Sequence, residues 1–209
     1  MSLHSIHNVP ANEAGICERT CDSFVLCPVR SFNCDSYRFP QLDQVRYLLQ
    51  VRDPRDIFVS EYYSLGWRHT TTNWSDEALQ RREKIQQMSI DEFVLEEPHG
   101  KSPLLDRYRL VLELAHREEV CIVNYETMVT QFPIWSESVL ELLGLNNQQR
   151  LKQKLLVRYR NEFRPDADER GHKRNVLPGD HREKLATETI EKLNERFGAL
   201  LQQLNYQLF

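Results

Sequence analysis

The chain has 209 residues, of which 40% are hydrophobic and 28% are charged, and its net charge is −4. This length and composition predict one globular domain over residues 1–209 whose core needs no cross-links. The acidic balance argues against a nucleic-acid partner, because such binders usually carry a basic surplus. No apolar run approaches the ~20 residues of a membrane span. The first ten residues lack a signal-peptide pattern, so we expect a cytoplasmic protein.

The five cysteines predict reduced thiols, because their number is odd and the core does not need them. Four of them cluster between residues 17 and 34. Cys17 and Cys21, with His4 and His7, are an alternative zinc site. Their spacing lacks the paired C-x2-C knuckle, so we predict no metal site.

Short apolar runs predict three strands, at Phe24–Cys27, Tyr47–Val51 and residues 120–123. None of the runs alternates polar and apolar residues, which favours strands covered on both faces. Residues 1–22 contain no such run and are predicted to be irregular.

Helical signals lie between and after the predicted strands. Pro54 at a first helical position predicts a helix over residues 54–65, and Ser89 with Glu92 forms a capping box. Apolar residues at helical spacing predict further helices over residues 102–117, 136–143 and 180–206, the last belonging to a helical C-terminal segment over residues 180–209. This order predicts an α/β fold of three layers, with a mainly parallel central sheet flanked by helices.

The segment from residue 48 to residue 60 carries the strongest functional pattern. A buried strand ends at Arg52, Pro54 turns the chain, and a helix follows. Ligands of α/β sheets bind at the carboxyl ends of strands, and helix N-termini attract anions. The guanidinium of Arg52 and the hydroxyl of Ser60 both suit a phosphate or a sulfate. The alternative is a structural ion pair between Arg52 and one of the two following aspartates.

This segment resembles the 3′-phosphate motif of the cytosolic-type sulfotransferases, which use PAPS (3′-phosphoadenosine 5′-phosphosulfate) as sulfate donor. The family motif is a strand ending in Arg, an Asn/Asp-Pro-Arg/Lys-Asp turn, and a Ser eight residues after the Arg. Residues 52–60 read Arg-Asp-Pro-Arg-Asp-Ile-Phe-Val-Ser. The resemblance covers roughly residues 45–209. It implies a P-loop-like sulfotransferase fold in which Arg52 and Ser60 bind the 3′-phosphate of PAPS.

A second segment, residues 122–128, resembles the family's strand ending in Tyr-Glu-Asp-Leu/Met. Here it reads Ile-Val-Asn-Tyr-Glu-Thr-Met. The resemblance implies that Tyr125 lies beside the adenine, where its ring supplies a flat apolar surface and its hydroxyl a hydrogen bond. The alternative is a core tyrosine at the end of a strand.

A third segment, residues 172–185, resembles the family's Arg-Lys-Gly-x-x-Gly-Asp-Trp loop. Arg174, Gly179 and Asp180 match the loop. Three residues depart from the family's Lys, Gly and Trp: Asn175, Val176 and His181. The resemblance implies a contact of Arg174 with the 3′-phosphate, with Lys173 as a possible substitute.

The family's Lys-x-Gly-Thr-x-Trp loop, which wraps the 5′-phosphosulfate, has no counterpart in the sequence. Gly15 is the only glycine before Gly66, and no lysine precedes Lys84. A phosphate cradle needs glycine for close backbone approach. We therefore expect the N-terminal strand and loop to be missing. No catalytic base is assigned, because four acidic or histidine side chains are equally loose candidates: His4, His7, Glu13 and Glu18.

These motifs together predict a PAPS-dependent sulfotransferase that transfers a sulfuryl group to a hydroxyl or amine of a small-molecule or glycan acceptor. The first alternative is a non-catalytic relative that binds 3′-phosphoadenosine nucleotides. The second is a nucleotide kinase, which the absence of a G-x-x-x-x-G-K-[S/T] stretch disfavours. The third is an α/β interaction module whose arginines are surface charges. The sequence does not encode the acceptor.

Overall fold

The computed structural model describes residues 2–5, 24–27, 46–68, 74–96, 104, 108–109, 112–113, 115–162 and 176–208. Its strands are β1 (Ser2–Ser5), β2 (Phe24–Cys27), β3 (Tyr47–Val51) and β4 (Val120–Asn124). Its first helices are α1 (Pro54–Tyr63), α2 (Asp76–Gln87), α3 (Ile90–Glu96) and α4 (Tyr125–Thr130). The later helices are α5 (Phe132–Leu142), α6 (Gln149–Glu162), α7 (Asp180–Lys184) and α8 (Thr187–Gln203).

The strands form two parallel pairs, β1 with β2 and β3 with β4. The three strands predicted from apolar runs are thus confirmed, and the architecture is a mostly helical α/β fold with small parallel sheets. The structure differs from the expectation at Ser2–Ser5, where no strand was predicted. Strand pairing rests on backbone hydrogen bonds that any residue can make, so a short polar strand leaves no hydrophobic signal.

Burial in the β3–β4 pair is greatest at its carboxyl end. Val51 and Val123 are buried there, whereas Leu48 keeps 39% of its surface exposed. The expectation of strands buried throughout therefore does not hold for β3, whose residues alternate between half-buried and exposed before Val51. The buried end is the one from which the candidate site projects.

The helix starts predicted at Pro54 and after Ser89 are confirmed. The helix predicted over residues 136–143 begins earlier, at Phe132, and the helix predicted over residues 102–117 is described only in part. Asp53 caps α1, and the helix continues past Tyr63 as a single π-helical turn over Ser64–Arg68. In the capping box before α3, Ser89 Oγ accepts from the Glu92 amide at 3.2 Å, and the Glu92 carboxylate accepts from the Ser89 amide at 2.7 Å. The predicted C-terminal helix is instead two helices, α7 and α8.

The break between α7 and α8 coincides with a tertiary contact. The backbone at residues 185–186 is extended, and the Ala186 amide donates to Asp91 Oδ1 at 2.9 Å. A carboxylate that accepts an amide at the start of a helix stabilises that start. Asp91 lies on α3, so the boundary depends on a residue 95 positions away.

The core lies where α1, α3 and α8 meet. Its fully buried side chains come from all three helices: Phe58, Val59, Phe93, Val94, Leu193 and Leu201. The rings of Phe58 and Phe197 pack 5.5 Å apart. This packing holds α1 firmly behind the end of β3. Among the described helices, none combines the length and the apolar character needed to span a membrane.

Candidate functional site

The register of β3 and β4 brings Arg52 and Tyr125 side by side. Val51 pairs with Asn124, and each candidate residue directly follows its strand. The Arg52 guanidinium carbon lies 4.5 Å from the centroid of the Tyr125 ring. This is a cation–π contact at the carboxyl ends of two parallel strands, the place where α/β sheets bind ligands.

Tyr108 fixes the backbone of Arg52. Its hydroxyl accepts from the Arg52 amide at 3.2 Å and donates to the Arg52 carbonyl. Burial raises the pKa of the Tyr108 hydroxyl, so the proton that it donates stays in place at physiological pH. The Tyr108 side chain thereby holds both backbone polar groups of Arg52, at the end of β3.

The Arg52 side chain is not tied up by the aspartates that follow it. Asp53 Oδ2 lies 2.7 Å from Arg55 Nη2, and Asp56 Oδ1 lies 2.6 Å from His181 Nδ1. Arg52 Nε is buried and has no hydrogen-bond partner among the described residues. A buried donor without a partner is costly, so its geometry fits a site that an anion completes.

The N-terminus of α1 differs from the anion site that the sequence suggested. Asp53 Oδ1 accepts from the Arg55 amide at 2.9 Å, so the helix is capped by its own carboxylate. Positive charge for an anion at this end of the sheet therefore comes from the Arg52 side chain rather than from that amide.

Arg55 is a structural residue that the sequence reasoning passed over. Its side chain is 1% exposed and donates to Asp53, to Asn194 Oδ1 at 2.7 Å and to the Gln207 carbonyl at 3.0 Å. The sequence could have indicated this role through the aspartates on either side of Arg55, because a basic side chain between two acids is a candidate for a buried pair. Arg55 thus joins the strand–helix turn to the C-terminal segment.

Glu126 makes a second connection between the strand–helix turn and the C-terminal segment. Its carboxylate accepts from the Asp53 amide at 2.9 Å and from the Tyr206 hydroxyl at 2.8 Å. Burial, with the nearby Glu126 charge, raises the pKa of Tyr206, so that hydroxyl keeps its proton. The end of β4, the turn after β3 and the C-terminus are therefore fixed to one another.

The segment before α7 closes the site on a third side. The Tyr125 hydroxyl donates to the Val176 carbonyl at 2.9 Å. The Asp56 carboxylate accepts from the Gly179 amide at 2.7 Å and from the His181 amide at 3.0 Å. The predicted phosphate ligands Lys173 and Arg174 lie outside the described residues.

Ser60 lies on α1 and is exposed. It follows Asp56 by four residues, and residues at that spacing share one face of a helix. That face is the one that Asp56 turns toward residues 179–181. The structure therefore places Arg52 and Tyr125 side by side, and Ser60 lies one helical turn after Asp56 on α1. The described residues contain no cluster of side chains suited to a metal ion, and the alternative zinc cysteines Cys17 and Cys21 lie outside them.

The chain matches the model of a known protein family. Residues 39–205 match the model of the sulfotransferase domain, which is most of the chain. The chain belongs to the sulfotransferase family. No curated protein matches it in sequence.

Proposed function

We propose that this sulfotransferase-family chain binds PAPS, with Arg52 and Ser60 on the 3′-phosphate and Tyr125 against the adenine. Lys173 and Arg174 add charge from the segment before α7. The bound donor then serves sulfuryl transfer to a hydroxyl or amine of a small-molecule or glycan acceptor.

The proposal rests on the environment of the Arg52 guanidinium. Its carbon lies over the Tyr125 ring, the nearest aspartates pair elsewhere, and its Nε lacks a partner among the described residues. A phosphate accepts from a guanidinium through two oxygens, which strengthens and orients the contact. A 3′-phosphate at this position would supply the missing acceptor.

Part of the Tyr125 side chain is already engaged in contacts within the chain. Its hydroxyl is engaged with the Val176 carbonyl, and one face of its ring carries the Arg52 guanidinium. The opposite ring face is then the surface on which an adenine could stack. This refines the expectation from the sequence, in which the hydroxyl was also a possible adenine contact.

Calorimetry with adenosine 3′,5′-bisphosphate and with adenosine 5′-phosphate tests the proposed site. We expect the bisphosphate to bind more tightly, because only it carries the 3′-phosphate. Arg52→Ala should weaken bisphosphate binding by about 2–4 kcal/mol, the size of a lost charge-assisted pair. The same substitution should leave the 5′-phosphate ligand nearly unaffected.

Arg46→Ala is the matched control, because Arg46 precedes the opposite end of β3. Its Nη1 donates to the Leu142 carbonyl at 2.7 Å, away from the proposed site. This variant should retain the preference for the bisphosphate. Equal affinity of the unmodified chain for both nucleotides would overturn the assignment of the 3′-phosphate site.

A further inference from the structure

The most buried ionisable pair outside the proposed ligand contacts is formed by Asp56 and His181. Each side chain is 1% exposed, and Asp56 Oδ1 lies 2.6 Å from His181 Nδ1. The two residues are 125 positions apart and join α1 to α7. His181 stands where the family resemblance expects a tryptophan, so the family motif does not account for this pair.

Asp56 carries a full set of donors. Besides the His181 ring, its carboxylate accepts from the amides of Gly179 and His181. Burial by itself would raise the pKa of the Asp56 carboxyl, but the hydrogen bonds from His181 and Gly179 outweigh it and hold the pKa below its usual value. An ionised carboxylate can only accept, so the Nδ1 atom of His181 carries the hydrogen.

These bonds fix one end of a short segment whose other end touches the proposed donor site. Gly179 adopts φ 93°, a left-handed conformation that glycine tolerates and that turns the chain into α7. Three residues earlier, the Val176 carbonyl accepts from the hydroxyl of Tyr125, the residue that lies beneath Arg52. Residues 176–181 are thus held at both ends, at one by Asp56 and at the other by Tyr125.

We propose that Asp56 and His181 are a positioning pair that holds residues 176–181 against the donor site and thereby sets its selectivity for the 3′-phosphate. This inference rests on the donor site proposed above. The pair acts through Val176 and Tyr125 on Arg52 and does not contact the nucleotide.

His181 acts here as a support and not as a catalytic base. Its side chain is 1% exposed, and its Nε2 is buried with no partner in the described part of the chain. A base must reach the acceptor's hydroxyl proton directly or through one water. The buried ring has no such access, while its Nδ1 is committed to Asp56.

The test compares the affinities for adenosine 3′,5′-bisphosphate and adenosine 5′-phosphate in the full chain. His181→Leu should lower the preference for the bisphosphate by about tenfold, the usual effect of losing one hydrogen bond to a charged group. Affinity for the 5′-phosphate ligand should stay the same. His181→Asn should keep most of the preference, because its side-chain amide can replace the Nδ1 donor.

Two further variants complete the experiment. Asp56→Asn should lose preference as His181→Leu does, and it decides the question if the leucine variant does not fold. Asp91→Asn is the control, because Asp91 also accepts a helix-start amide, that of Ala186, but lies on α3. It should lower stability and leave the preference unchanged.

The outcomes separate the two proposals. An unmodified chain that does not distinguish the two nucleotides overturns the donor site itself. A chain that distinguishes them, with Asp56→Asn or a folded His181→Leu keeping the full preference, overturns only the positioning pair. A loss of preference in Asp91→Asn as large as that in Asp56→Asn also overturns the pair, because the effect would then be one of general stability.

Discussion

Two arginines three residues apart in one motif have opposite environments. Arg55 is 1% exposed and satisfied by Asp53, Asn194 and the Gln207 carbonyl. Arg52 is half-buried, lies over Tyr125 and retains a buried Nε without a partner among the described residues. A guanidinium donates up to five hydrogen bonds in a fixed fork. The environment therefore decides that Arg55 holds the fold together and that Arg52 is available to a ligand.

The pH dependence of stability should report the Asp56 interactions. The pKa of Asp56 lies below its ordinary value of 3.8 in the folded chain. A lowered folded-state pKa means that the stabilisation is complete above the unfolded-state value and is lost as pH falls through the folded-state value. At neutral pH, Asp56→Asn should destabilise the chain by about 1–3 kcal/mol.

Urea unfolding of the unmodified chain and of Asp56→Asn between pH 7 and pH 3 checks this expectation. The two free energies of unfolding should begin to converge below about pH 4, where the Asp56 carboxyl of the unfolded chain takes up a proton, and should converge further as pH falls through the lower folded-state pKa. A difference that stays constant over the whole range would contradict the assigned role of the carboxylate.

At the scale of elements, the C-terminal segment is joined to the turn between β3 and α1. Arg55 reaches Asn194 on α8 and the Gln207 carbonyl, and Glu126 accepts from Tyr206. The hydrophobic stripe of α8 packs behind the same turn. The C-terminus therefore supports the residues that hold Arg52 in place.

Replacing Arg55 should release this connection. Arg55→Met leaves the carboxylate of Asp53 buried without its cation, and breaking a buried pair in this way costs about 3–5 kcal/mol. In this variant we expect hydrogen exchange to become faster at the amides of residues 204–208, and more so there than at the amides of α3. Chemical unfolding and hydrogen exchange measure the two effects.

The control is Arg46→Met, because Arg46 is exposed and donates to one backbone carbonyl. It should cost less than about 1 kcal/mol, as surface polar contacts usually do. If both variants lost the same stability, the buried connection through Arg55 would not be the cause.

At the scale of the whole molecule, we expect the proposed donor site and the site of sulfuryl transfer to be separable. Arg52 and Tyr125 follow β3 and β4, whereas the family resemblance assigns the phosphosulfate to a Lys-x-Gly-Thr-x-Trp loop that these 209 residues do not contain. Charge that develops on the transferring group needs preorganised donors. Binding of the nucleotide needs only the 3′-phosphate half of the site.

We therefore expect these 209 residues by themselves to bind adenosine 3′,5′-bisphosphate but to transfer sulfate very slowly. Loss of one donor to a developing charge typically costs ~10²–10³ in rate, and here a set of donors has no counterpart. Radiolabelled PAPS with phenols, alcohols and amines measures transfer. Rapid turnover that Arg52→Ala abolishes would show that other residues supply the missing donors.

Some features could be predicted from the sequence because they depend on neighbours in the chain. They are the strand–Arg–Pro–helix pattern and the Tyr at the end of the later strand. Short apolar runs marked β3 and β4, and the proline and the capping box marked the starts of α1 and α3. Both are local effects of burial and of backbone hydrogen bonding. The local pattern accordingly indicates Arg52 as a candidate, and the family resemblance adds Tyr125.

Other features depend on partners that the sequence does not reveal. The polar strand Ser2–Ser5 exists through pairing with β2, and the break between α7 and α8 depends on Asp91. The difference between Arg52 and Arg55 depends on residues 194 and 207, and the pairing of Asp56 with His181 spans 125 positions. Local propensity and periodicity determined the elements, and the resemblance to the family motifs indicated the candidate residues. Only tertiary structure decided which charged groups are paired, because burial and hydrogen bonding join residues that are distant in the chain.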